Sequence, residues 1–131
     1  MSPELDLMLC DRYPLLFAER HAPKSQTTML RGFECEDGWY CLIDVLCHQL
    51  QNETECGEAP QAVAMQVKEK LGSLRFYVRG YKHGVSEKQW AMIKFAQALS
   101  LRICEICGAP TPHMNDTETR LATRCDAHFT P

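Results

Sequence analysis

Apolar residues recur along the chain with two periods, and the switches between those periods outline the fold. Leu5, Met8, Leu9 and Tyr13 repeat at helical spacing, with Ser2 placed as an N-cap, Pro3 at the first helical position and Pro14 as the stop. "YPLLF" then supplies an apolar landing point, and "RHAPKSQTT" reads as a polar loop. After Asp37-Gly38 the helical period returns: Trp39, Leu42, Ile43, Leu46 and Leu50 form one stripe, which is expected to end in the turn-rich linker "QNETECGEAP".

The period then shortens to two. Residues 62–70 and 74–79 alternate about Leu71-Gly72-Ser73 and predict a β-hairpin. Val63, Met65 and Val67 would share a face with Leu74, Phe76 and Val78, leaving Gln66, Lys68, Lys70, Arg75, Tyr77 and Arg79 on the other. "GYKHG" reads as a loop. Ser86 with Gln89 forms a capping box for a third helix over 87–103, whose Trp90, Ile93, Ala96 or Gln97, and Leu99 follow a 3.6 period. The expected class is α+β: three helices, a β-hairpin and a C-terminal zinc-knuckle module of treble-clef or ribbon type. The expected division is a core domain over 1–103 and a metal-binding module over 104–131 packed on it.

Composition adds two constraints. The chain has 131 residues, enough for one domain that buries a core of its own. Its net charge of −3 is unevenly divided: residues 1–60 hold 11 acids and 4 bases (−7), and residues 61–131 hold 6 acids and 10 bases (+4). That split suggests either two surfaces with different partners or one half packing on the other. Glu4 and Asp6 stand where an export signal needs basic residues, and no apolar run approaches the roughly 20 residues of a membrane span. The expectation is a soluble protein of a reducing cytoplasm, whose eight cysteines are metal ligands and small buried hydrophobes.

The tail carries the most specific chemistry. "CEIC" at 104–107 and "CDAH" at 125–128 together read C-x₂-C-x₁₇-C-x₂-H. Cys104, Cys107, Cys125 and His128 make a Cys₃His set suited to one tetrahedral Zn²⁺. Two-residue spacing allows a knuckle whose backbone N–H groups point at thiolate sulfurs, and Gly108 accommodates the positive φ that follows it. The segment between the pairs is nearly devoid of apolar residues, so a metal is the natural reason for its order. Four protein ligands leave no open position for water, which makes the metal structural. A deaminase would need an H-x-E segment ahead of its P-C-x-x-C, and none precedes Cys104. His113 and Asn115 suggest half of a nuclease loop without its second histidine.

The remaining cysteines, Cys10, Cys35, Cys41, Cys47 and Cys56, have no ligand spacing. A second site from Cys35, Cys47, His48 and Cys56 is conceivable, and Cys41 and Cys47 sit on or beside the apolar stripe as core residues. A nucleophile triad of Cys47, His48 and Asp44 fails because neighbouring helical residues point about 100° apart. A candidate binding face remains on the hairpin: Lys68, Lys70, Arg75 and Arg79 interleaved with Tyr77, with Lys82 beyond. It suits nucleic acid or an acidic protein surface, or simply a solvated sheet face.

Three fragments, "GFECEDGWYCLIDVLC", "VKEKLGSLRFYVRG" and the cysteine-rich tail, are similar to those of a family of small uncharacterised proteins found in bacteriophage and prophage genomes. The shared patterns are GW-x₂-LI, VKEK-x-G-x-LRFY, CE-x-CG and C-x₂-H, over about residues 32–128. The resemblance places zinc on Cys104, Cys107, Cys125 and His128 and implies no enzymatic activity. The loop before the second knuckle departs from it in lacking an aromatic residue. A phage setting implies an accessory protein of the host cytoplasm that binds and inhibits a host complex of defence or gene expression. The alternative is a nucleic-acid-binding regulator using the hairpin face, and the third reading is a metal-dependent nuclease.

Overall fold

The computed structural model describes residues 1–23, 27–112, 115–116 and 120–129. In chain order the elements are α1 (Pro3–Arg12), β1 (Phe33–Glu34), α2 (Tyr40–Cys56), β2 (Ala64–Lys70), β3 (Ser73–Val78), α3 (Glu87–Ser100), β4 (Asn115–Asp116) and β5 (Leu121–Ala122). Short 3₁₀ turns occupy Thr28–Arg31, Asp37–Trp39 and Tyr81–His83. The class is α+β, as expected. Among the described residues, no helix is long and apolar enough to cross a membrane.

The first helix starts as the sequence implies, with the Ser2 hydroxyl accepting from the Leu5 amide and Pro3 opening the first turn. Beyond it, Leu16 and Phe17 are buried, and Phe17 meets Phe33 and Phe76 edge-on at centroid distances of 4.9 and 6.4 Å.

The expected hairpin is part of a larger sheet of order β1-β2-β3, in which β1 runs parallel to β2 and β2 antiparallel to β3. A parallel pair needs a crossover, and α2 supplies it. The third strand has no signature in the sequence, because β1 is two residues long and offers no alternation. The connection between β2 and β3 is two residues, not three: Leu71 (φ 53°) and Gly72 (φ 79°) are both left-handed, as a type I′ turn requires, and Ser73 already belongs to β3. A bulge between Ala64 and Gln66 shifts the register of β2. Ala64 therefore faces the core beside Val67, in place of the expected Val63 and Met65.

Leu71 is 60% exposed, so its side chain contributes little burial while its backbone conformation suits asparagine better. Leu71→Asn should raise the stability of the metal-loaded protein by about 1 kcal/mol. The check is the urea midpoint at unchanged slope; a lower midpoint would mean that the leucine's contacts outweigh its left-handed φ.

The two longer helices differ from their sequence patterns in instructive ways. Helix α2 buries Ile43, Leu46, Cys47 and Leu50, while Leu42 is only half-buried and the helix continues through the expected linker to Cys56. On α3 the capping box forms as expected, with Ser86 and Gln89 exchanging hydrogen bonds. The buried stripe of α3 is Gln89, Ile93, Ala96 and Ser100, however, and Trp90 and Leu99 lie outside it. Its two polar members are fully employed. The Gln89 amide donates to Leu50 and Pro60 carbonyls at 3.1 and 3.2 Å, tying α3 to the end of α2. The Ser100 hydroxyl accepts from the Leu74 amide at 2.9 Å, and the Gln97 side-chain oxygen accepts from the Phe76 amide at 3.0 Å. These last two bonds cap the outward N–H groups of the edge strand β3.

Candidate metal centre

The tail is built against the rest of the molecule by backbone contacts at close range. Gly38 donates its amide to the Glu105 carbonyl at 2.7 Å, and Trp39 donates its indole N–H to the Ile103 carbonyl at 2.9 Å. The buried Glu105 carboxylate accepts from the Glu36 amide at 3.1 Å, and burial pushes that carboxyl up. On the other side, the Thr123 hydroxyl donates to the Gly72 carbonyl of the hairpin turn at 2.7 Å, while the Thr123 carbonyl accepts from the Glu105 amide. The GW segment, the hairpin turn and the cysteine-rich tail thus meet at one place.

There the ligand atoms of Cys104, Cys107, Cys125 and His128 lie within 4.8 Å of one another and could hold a metal ion. Cys104 is buried, and the other three are more open to solvent. The spacings test the fit. An ion with metal–sulfur and metal–nitrogen bonds of about 2.3 and 2.0–2.1 Å in tetrahedral geometry sets its ligands roughly 3.8 Å (S···S) and 3.6 Å (S···N) apart. Here Cys107 Sγ and Cys125 Sγ are 3.7 Å apart, Cys104 Sγ and His128 Nδ1 are 3.7 Å apart, and Cys125 Sγ and His128 Nδ1 are 3.3 Å apart. The donor set fits a tetrahedral cation, with His128 presenting Nδ1.

The first knuckle shows why the sequence folds so. Gly108 has φ 78°, and its amide returns to the Cys104 carbonyl at 2.8 Å. Burial pushes the Cys104 thiol up, but amide groups of Cys125, Cys107 and Ile106 together with His128 outweigh it and bring the thiol down to about 6. Thiolate, the ligating form, is therefore favoured there at neutral pH. Between the ligand pairs, the interior positions are taken by Thr111, Ala122 and Thr123, and Asn115–Asp116 pairs antiparallel with Leu121–Ala122. This stretch, nearly devoid of apolar residues, buries two threonines and one alanine among its described residues. His113 lies outside the described residues.

The other cysteines are not assembled into a site. Among the described residues no second group of three or more metal-ligating side chains converges. Cys35 and Cys47 are buried, whereas Cys41 and Cys56 are exposed, which corrects the placing of Cys41 in the core. Burial drives the Cys47 thiol far up and the Cys35 thiol to about 12, as befits inert core residues.

The hairpin face is brought together only in part. Lys68 stands opposite Arg75 and Gln66 opposite Tyr77, all half-buried, with Lys70 exposed at the turn and Lys82 exposed in the loop after β3. Arg79 is paired with Glu19, so one cation of the set is engaged by the acidic N-terminal half.

Sequence reading missed a third surface altogether. Val45 (55% exposed), Phe95 (70%) and Leu99 (38%) stand along a trough between α2 and α3. The trough continues past Leu42 to Ile103 and Cys107 at the knuckle. The available signal was an excess of apolar residues on α3, more than one buried stripe can use. No protein-family model, curated protein or solved structure matches the chain.

Proposed function

We propose that this is a non-enzymatic, phage-type interaction protein of the bacterial cytoplasm, held together by one structural zinc, that binds and inhibits a host complex of defence or gene expression. The zinc module takes the treble-clef or ribbon-like role of a rigid staple. Four protein ligands, three of them thiolates, support zinc in a closed site over a catalytic metal. The phage setting rests on the motif resemblance.

The observation that carries the interaction reading is the apolar trough between α2 and α3. Exposed aromatic and aliphatic side chains lined up between two helices are suited to the apolar face of a partner helix. Phe95, the most exposed of them, would be the anchor.

The test is Phe95→Glu on the zinc-loaded protein. The variant should keep its metal content and circular dichroism, because the side chain is outside the core. It should weaken binding of the host partner by about 30-fold or more, the scale of a hot-spot residue. Unchanged partner binding would remove the trough from the interface. A wild-type dimer converted to monomer by the substitution would make the occupant a second copy instead.

A further inference from the structure

Helix α3 bounds a second groove, on the side opposite the apolar trough. Trp90, Lys94 and Gln97 fall on one flank of the helix, and Met92, Phe95 and Leu99 fall on the other, with Ile93 and Ala96 buried between them. The first flank faces strand β3. Together they line a cavity of about 260 Å³ whose walls also carry Arg75, Tyr77 and Tyr81.

Its lining has three properties at once. Two cations, Arg75 and Lys94, border it, neither is ion-paired to a described residue, and no acid lines it. Four aromatic residues, Phe76, Tyr77, Tyr81 and Trp90, line it, with Tyr81 set edge-on to Trp90 at 4.8 Å. Tyr81 is 57% exposed and sits in a tight loop. Tyr81 itself is left-handed (φ 54°), as is Gly80 before it, and Gly84 closes the loop so tightly that a Cβ there would lie 1.8 Å from the Arg79 carbonyl. Gln97, its oxygen taken by the Phe76 amide, retains its Nε2 donor on the cavity wall.

We infer that this groove binds single-stranded nucleic acid, stacking one unstacked base against its exposed aromatic surface while Arg75 and Lys94 neutralise the flanking phosphates. The chemistry of each part points the same way. Aromatic faces stack on any base, free cations beside them track the backbone, and an amide donor suits the carbonyl edge of a base. Size selects the strand over a larger cofactor, since pockets that enclose drug-sized ligands run to roughly 300–1,000 Å³. A duplex keeps its bases stacked and cannot offer one to a recess of this kind. The cationic track continues out of the groove along the half-buried sheet face, where Lys68 lies opposite Arg75, and towards exposed Lys82. Glu34 stands at the far edge of that face, beside Lys68, so the positive end is the one at β3.

This goes beyond the protein-partner reading and fails or stands separately from it, because Phe95→Glu alters the other flank of α3. The experiment is fluorescence anisotropy of labelled single-stranded DNA and RNA 12-mers and of a duplex of the same length, titrated with zinc-loaded protein at low and physiological salt. Single strands should bind better than duplex, and the affinity should fall steeply with salt. Lys94→Glu and Tyr81→Ala should each weaken binding by about tenfold or more, and Lys94→Glu should also reduce the salt slope by about one. Arg31→Glu, the same charge change at an exposed site elsewhere, should change affinity less than about twofold. Metal content and circular dichroism verify that each variant is folded. Absence of binding at low salt, equal binding of duplex, or equal losses from Lys94→Glu and Arg31→Glu would overturn the assignment. So would full competition by a free nucleoside monophosphate at the same concentration of bases, which would make the ligand a nucleotide and not a strand.

Discussion

Cys104→Ser is expected to abolish accumulation of soluble folded protein, and a chelator should unfold the wild type at neutral pH. Cys104 is the one buried ligand of the set, and its neighbours Ile103 and Glu105 anchor the start of α2 through Trp39 and Gly38. Losing the metal therefore frees more than the tail. Structural zinc supplies apparent free energies of roughly 10–16 kcal/mol in small modules. A whole domain is stable by only about 5–15 kcal/mol. The deficit cannot be made up by the few side chains that the segment after Cys104 buries. The pH dependence has a definite sign. In the metal-free fold the Cys104 thiol is lowered to about 6 from its ordinary 9, so the stability it contributes there is complete above pH 9 and is lost as the pH falls through 6, and a bound cation would carry that loss to lower pH still. Near-UV circular dichroism, followed during acidification and chelation, reads both effects. Retention of a cooperative fold in Cys104→Ser would show that the core stands without its staple.

Gly38→Ala is expected to damage both the fold and the metal centre. A Cβ on Gly38 would sit 2.3 Å from the Cys104 carbonyl oxygen and 2.4 Å from that of Glu105. Both are backbone atoms, so neither can turn aside. Gly108 packs in return on the Gly38 carbonyl at 3.1 Å from its own would-be Cβ, and the two glycines form one contact. Separating them should cost about 3 kcal/mol or more. Because the displaced groups flank a metal ligand, metal affinity should fall by about 100-fold alongside the urea midpoint. A destabilised variant with unaltered metal affinity would mean that the helix start moved and the knuckle did not.

How much of this could be read beforehand depends on how local the signal is. The Ser2 cap, the Ser86–Gln89 box and each of the two ligand pairs of the Cys₃His quartet are set by residues a few positions apart, and they are found where the spacing put them. The strand β1 was not legible, because two residues carry no period and its pairing partner lies more than thirty positions on. Helix α3 departs from its sequence pattern for a different reason. Hydrophobicity assigned Trp90 and Leu99 to the interior, whereas the interior needed Gln89 and Ser100 to satisfy backbone groups of other elements. Polar residues chosen for a bond look, in a sequence, like residues chosen for water. The motif "VKEKLGSLRFY" is legible only with the tail in view: its Glu69 holds the Gly72 amide at 2.8 Å, and Gly72 in turn receives Thr123.

The capping of β3 by Gln97 and Ser100 bears on how the protein fails. A sheet edge with free amides is a template for another chain, and here one edge is closed by α3 while the other ends in a strand of two residues. Helix α3 runs within four residues of Cys104, a member of the quartet that could hold the metal. Releasing the metal loosens the end of the helix that shields the strand, and the exposed edge invites pairing with other copies. Demetallation should therefore lead to precipitation, with recovery on adding metal back declining as protein concentration rises. A purification that strips the ion would lose the protein to aggregates before it ever populated a soluble unfolded state.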